Sequence, residues 1–167
     1  MSKFKSDLEQ EKILSEYLDI IYTEKKLDFE RIIDLNKQRQ GIDVIMIINS
    51  NHYFIDEKAQ LHYINASLPT FTFELSYLKN GIIKEGWIFD KSKLTEYYFL
   101  ITDIFLKKGK KVLSNCNDIK KVKITSINRA KLIEYLSKIK LGKEKLLQYD
   151  FEMRKNNAFG KNNIPEL

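Results

Sequence analysis

The chain has 167 residues, enough for one domain with a real hydrophobic core and too few for two ordinary ones. Its 43% apolar and 31% charged residues exclude a disordered chain, and no apolar run is long enough to cross a bilayer. The net charge of +6 is uneven: residues 107–145 hold thirteen Lys or Arg against Asp118, Glu134 and Glu144, so the remainder is net acidic.

Such a basic block suits a polyanion such as nucleic acid, and equally a solvated lysine-rich surface. The one cysteine, Cys116, excludes an internal disulfide and a thiolate zinc cluster. The opening MSKFKSDLEQEK is charged and lacks the apolar run of a secretory signal, so a cytoplasmic protein is expected. The composition predicts a single domain over residues 1–149 with a basic C-terminal third, and a loose polar tail over 150–167.

In chain order, Ile13, Leu14, Tyr17, Leu18, Ile20 and Ile21 recur with helical spacing and predict a helix over 7–22, capped by Ser6 or Asp7. A shorter amphipathic helix is expected over 29–35, with Ile32 and Ile33 buried. Residues 42–48 are β-branched and apolar on both faces, as a central strand is. Asn49, Ser50 and Asn51 signal a turn, and 52–59 reads as the returning strand. Alternation predicts a third strand over 70–78, and the segment around Trp87, 84–89, a fourth. Residues 95–106 are dense in aromatic and aliphatic side chains and fit helix or strand. A loop over 107–111, a strand over 121–125 and a helix over 129–139, with Leu132, Ile133 and Leu136 inward, complete the chain. A helix, antiparallel strands and mixed elements make an α/β sandwich.

The anomaly is Asp43, an aspartate in a run of Ile, Val and Met. An unpaired carboxylate there costs several kcal/mol, which a metal ion or a hydrogen-bond network must offset. Strand alternation places Asp56 and Lys58 on one face of the returning strand and the Glu57 side chain on the other. Asp43 on the adjoining strand can meet them. Two carboxylates and the Glu57 backbone carbonyl offer hard oxygens for Mg²⁺. Lys58 beside them can orient or deprotonate an attacking water, or offset charge on a phosphoryl group. The ordinary reading is a surface ion pair at a hairpin end.

These residues also carry a likeness. GIDV at 41–44 followed by FIDEKAQ at 54–60 resembles the core of the PD-(D/E)XK nuclease superfamily, and TFTFELSY, GWIFD and TEYYFLI resemble a group of uncharacterised microbial proteins with that core. The likeness spans residues 7–105 and is strongest over 38–60. It implies a restriction-endonuclease-like three-layer sandwich, with a central four-stranded mixed sheet flanked by helices. It also implies Mg²⁺-dependent (or Mn²⁺-dependent) phosphodiester hydrolysis, endo- or exonucleolytic. Asp43 takes the place of the first acid, Asp56 the second and Lys58 the lysine. DNA is favoured over RNA by this likeness alone, and dimers are common among small members. Ile42 stands where proline is frequent, and the C-terminal third matches nothing in the family.

Many members add an acid from the first helix, for which Glu9, Glu11, Glu16 and Asp19 are candidates. Glu11 lies beside Leu18 at one margin of the apolar stripe and Glu16 beside Ile20 at the other. Gln60 shares the face of Asp56 and Lys58 and can bond a water or a phosphate, or serve as a structural amide. Glu74 can approach the metal or stand exposed on its strand. His52 and His62 lack zinc-site spacing. Arg31, Gln38 and Arg39 are placed for phosphate contact or for solvent, and Trp87, Tyr97 and Tyr98 for base stacking or for the core. The rival to a nuclease is a catalytically silent nucleic-acid- or partner-binding module on the same fold. Its footprint would be the 107–145 block, with strongly salt-dependent binding.

Overall fold

The computed structural model describes residues 3–156. The chain divides into two compact units, Met1–Thr72 with Ser92–Arg129 and Phe73–Lys91 with Ala130–Leu167. The first is a five-stranded mixed sheet with one long helix. It contains α1 (Lys3–Glu24), β1 (Asp28–Arg31), α2 (Leu35–Arg39), β2 (Val44–Ile48) and β3 (Asn51–Ala59). The second unit supplies β4 (Ser76–Lys79) and β5 (Ile82–Glu85); the chain then returns to the sheet with β6 (Tyr97–Leu106) and β7 (Ile119–Asn128). Helices α3 (Arg129–Lys138) and α4 (Lys143–Lys155) follow. Among the described residues no helix is long and apolar enough to cross a membrane.

The sheet order is β1-β2-β3-β6-β7. β1, β2 and β3 are antiparallel neighbours, β6 runs parallel to β3, and β7 is antiparallel to β6. A parallel neighbour requires a long crossover, which residues 60–96 provide. The mixed α/β architecture is as expected, but the sheet has five strands where four were expected, because 28–31 and 119–128 both join it.

α1 forms because Leu14, Leu18 and Tyr22 repeat every four residues, and it lays that stripe on Val44, Met46, Ile55 and Ile101. Leu18 is 1% exposed. Leu18→Ala is expected to cost about 2–5 kcal/mol, read as a lower urea midpoint, since it opens a cavity under a rigid sheet.

The expected helix over 29–35 is not one. Phe29 and its neighbours pair with Val44–Ile47 as the edge strand β1, with Phe29 in the core. Ile32 is buried, whereas Ile33 is 87% exposed. The Asp34 carboxylate accepts hydrogen bonds from Asn36 N (2.7 Å) and Lys37 N (3.0 Å) and starts α2 instead. Strand pairing outweighed a weak helical pattern.

The strand expected over 70–78 survives only as its end, β4. Residues 71–75 alternate between exposed and more buried positions without a ladder. Trp87 lies past β5, in a turn, with its ring 5.2 Å from that of Phe73. The 95–106 run is strand, and β7 is longer than the expected 121–125. The expected loose tail begins too early: α4 runs to Lys155, and the tail from 157 on lies outside the described residues.

In the second unit, α4 is tied to the hairpin by Ser76 donating to Asp150 and by Arg154 Nη2 donating to Ser76 O (2.7 Å). Lys143 adds an ion pair with Glu85.

Candidate metal centre

β2 and β3 meet in the register Val44↔Ile55, which sets Asp43, one residue before β2, against Asp56. Asp43 already behaves as part of the sheet. Its N–H donates to Ile55 O (2.8 Å), and its carbonyl accepts from Ile32 N (2.9 Å). Its carboxylate turns to β3, where Oδ2 accepts the Glu57 N–H (2.8 Å).

Asp56 is 2% exposed, the most deeply buried charged side chain described. Lys58 Nζ sits 2.6 Å from its Oδ1. Its Oδ2 is buried and receives no hydrogen bond. Burial pushes the Asp56 carboxyl up to about 7; Lys58 opposes this, and the Asp43 charge adds to it. Two carboxylates set against each other in a buried site disfavour a second negative charge, which a proton or a cation relieves. Burial works against the Lys58 ammonium, but Asp56, Asp43 and Glu11 around it more than offset that, so its pKa is raised.

The backbone above Asp56 is shaped to let it in. Gly41 has φ +77°, and a Cβ there would overlap Thr95 Oγ1 and lie 3.3 Å from both Asp56 Oδ2 and Lys93 Cδ. Thr95 Oγ1 donates to Gly41 O (2.8 Å), Leu94 N to Gln40 O (2.8 Å) and Lys93 Nζ to Arg39 O (2.6 Å). Arg129 Nη1 steadies this 93–95 segment through Lys93 O at 3.1 Å.

Glu11 is the helix acid whose charge is felt at Lys58 and Asp43. Partial desolvation raises its carboxyl, Lys58 lowers it, and Asp43 raises it further. It continues the Leu14–Leu18 stripe, three residues before Leu14. Glu9, Glu11 and Glu16 all lie on exposed positions of α1; Glu16 is beside Ile20, which is 42% exposed, on the margin that faces away from the core.

Other side chains have structural posts. Gln60 Nε2 donates to Thr70 O (2.8 Å) and Gln38 Nε2 to Ile32 O (2.8 Å). His52, His62, Glu74 and Arg39 are exposed. Tyr98 is fully buried, which removes it from base stacking, and the Tyr97 ring lies edge-on to Tyr53 at 5.8 Å. Arg31 is turned inward, to Asp19 and Glu57.

In the first unit's share of the basic block, Lys107, Lys108, Lys110, Lys111, Lys120, Lys121 and Lys123 are exposed. Two of them also have partners: Lys110 pairs with Asp118 at 3.1 Å, and Lys121 lies over the Phe105 ring at 4.8 Å.

Among the described residues no group of three or more His, Cys, Asp and Glu side chains is gathered to hold a metal ion. A purely side-chain cage is therefore excluded there. The donor set that does fit is smaller: Asp43, Asp56 and one carbonyl. In a strand the N–H and C=O of one residue point to the same edge, so the Glu57 carbonyl faces the side where its N–H meets Asp43. Two carboxylates and a carbonyl, with water completing the shell, is a normal Mg²⁺ set. The orphaned Asp56 Oδ2 is the atom that most needs the cation.

The sequence pattern singled out Asp43, Asp56 and Lys58 and left the helix acid open among Glu9, Glu11, Glu16 and Asp19; it gave no sign of Gly41, Lys93, Thr95 or Arg129. The clamp on Gly41 joins residues more than fifty positions apart and has no local signal. Compared with protein-family models, curated proteins and solved structures, the chain matches none.

Proposed function

We propose that this protein is a divalent-metal-dependent phosphodiester hydrolase acting on DNA, with a restriction-endonuclease-like fold. The observation that carries the reading is Asp56: a buried carboxylate with one oxygen bonded to Lys58 and the other without a donor, beside a second carboxylate. A purely structural ion pair has no use for that second oxygen. The helix leading into three antiparallel strands and a parallel fourth is in keeping with the fold.

Asp43, Asp56 and the Glu57 carbonyl would hold Mg²⁺ or Mn²⁺, which supplies Lewis-acid charge to a phosphodiester. The protein's own residues do the rest. The Glu57 N–H orients Asp43, and Asp56 holds the Lys58 ammonium at the centre. Lys58, kept protonated by the acids around it, stabilises charge developing on the phosphoryl oxygens. That role suits it better than proton abstraction. Glu11 can accept a hydrogen bond from a water on the helix side. The exposed lysines that flank and line β7 offer positive charge to a phosphate backbone.

The test is cleavage of plasmid and oligonucleotide DNA, and of RNA, with Mg²⁺ or Mn²⁺. Lys58→Ala is expected to lower the rate about 10²–10³-fold, the usual loss when one transition-state charge partner is removed. If the wild type cuts none of these substrates, or Lys58→Ala cuts equally fast, the reading is wrong. A wild type that retards DNA without cutting it would be the silent binding module instead.

A further inference from the structure

Glu57, between the two residues that face the centre, is unusual in its own right. Its side chain projects to the opposite face, into the seam between α1 and the sheet, where its neighbours Ile55 and Ala59 are apolar and join the core. Yet it is a carboxylate, and its side chain is only 9% exposed.

It is fully partnered. Tyr22 Oη donates to Glu57 Oε1 at 2.7 Å, and Arg31 Nη1 donates to Oε2 at 2.5 Å. Arg31 also grips Asp19 on α1, with Nε at 2.9 Å and Nη2 at 2.5 Å from Oδ1, and its Nη2 reaches Ser15 O at 3.5 Å. Burial raises the Glu57 carboxyl, and its bonds to Arg31 and Tyr22 pull the other way. A cluster of this kind is costly to bury, and apolar side chains of the same volume would hold α1 to the sheet as well or better. Cohesion therefore does not explain it. Geometry does, because charge-assisted and bidentate bonds fix direction where apolar packing permits sliding.

What it fixes touches the metal centre through the Glu57 peptide. The Glu57 peptide carries the N–H that holds Asp43 Oδ2, and its carbonyl faces the same edge. Helix α1, through Asp19 and Tyr22, is the other wall of the cluster.

We propose that the Asp19–Arg31–Glu57–Tyr22 cluster is the positioning device of the metal centre. It locks α1 and the Glu57 peptide in one arrangement, so that Asp43 and the Glu57 carbonyl converge. The four are positioning residues; none of their side chains touches the substrate. This inference rests on the metal-dependent reading given above.

The experiment is calorimetric titration of the full chain with Mn²⁺, paired with thermal melts in chelator. The double substitution Arg31→Met with Glu57→Leu removes both buried charges together and is expected to keep the fold. Its Mn²⁺ affinity should fall about 10–100-fold, the usual loss when groups that orient metal ligands are removed. Tyr22→Phe, which deletes one hydroxyl, should weaken Mn²⁺ binding several-fold. Glu57→Gln, which keeps one of the two acceptor oxygens, should recover part of what Glu57→Leu alone loses.

Wild-type affinity in the double variant overturns the inference. Should that variant not fold, unchanged affinity in Tyr22→Phe does so. A wild type that takes up no Mn²⁺ is a different failure: it removes the metal centre, and the positioning role with it.

Discussion

Asp56→Asn is expected to abolish cleavage and, in the presence of a chelator at neutral pH, to make the protein more stable than the wild type. Asp56 is held in the fold with a pKa of about 7 against 3.8 for the unconstrained side chain, chiefly because burial penalises its charge. A carboxyl whose pKa is raised by folding contributes its full stability below the unfolded value. It loses that contribution as pH climbs through the folded one. The wild type should therefore weaken between about pH 4 and pH 7 relative to the Asn variant, by on the order of 2–4 kcal/mol as a ceiling. The gain corresponds to a melting temperature higher by about 4–10 °C at pH 7.5, fading to nothing near pH 4.

The Asn amide can donate to the Asp43 carboxylate, which removes the need for a proton or cation between the two. Mn²⁺ should then stabilise the wild type and leave the variant unmoved. In the wild type, cation uptake at pH 6 should release protons, because Asp56 gives up the one it holds. A variant that melts below the wild type at pH 7.5 in chelator would show that Asp56 is a stabilising ion-pair partner and not a strained ligand.

Gly41→Ala should damage both fold and centre. The positive φ of +77° costs an L side chain about 1–2 kcal/mol by itself. The added methyl also meets Thr95 Oγ1 and crowds Asp56 Oδ2 at 3.3 Å. Tight packing around it converts that overlap into backbone shift, for a total loss of about 2–4 kcal/mol in urea denaturation.

Because the displaced atoms include the orphaned oxygen of Asp56, Mn²⁺ affinity should fall as well. Thr95→Ala makes room for the methyl while losing its own bond to Gly41 O. The double substitution should consequently be less harmful than the two single losses added together. Strict additivity in denaturation would mean that the Gly41–Thr95 contact is not what makes glycine necessary there.

Both variants act where a local pattern and a distant partner coincide, and that division runs through the whole protein. The centre was legible because its signal is local. A carboxylate at the head of an apolar strand is too costly to be accidental, and alternation along 52–59 sorts Asp56 and Lys58 from Glu57 whatever the rest of the chain does. The hairpin of β2 and β3, the long first helix and the helix after residue 128 were legible on the same basis.

The misreadings have one cause. Residues 28–31 carry a pattern that suits helix or strand, and only the exposed edge of β2, set by residues far along the chain, makes them β1. Residues 71–75 alternate as a strand does, but no neighbour offers them a ladder. The choice between Glu11 and Glu16 hung on which margin of the α1 stripe met the sheet. Two margins of an amphipathic helix are equivalent until something packs against one.

The sequence by itself determined the chemical types at the centre and their order on a hairpin, since period-two geometry is a property of any strand. Tertiary structure decided the rest. It turned Arg31 from a candidate phosphate contact into a partner of Glu57, set Gly41 against Thr95, and left one oxygen of Asp56 without a donor. Each of these joins residues far apart in the chain, and no local rule of spacing or alternation reaches across such distances.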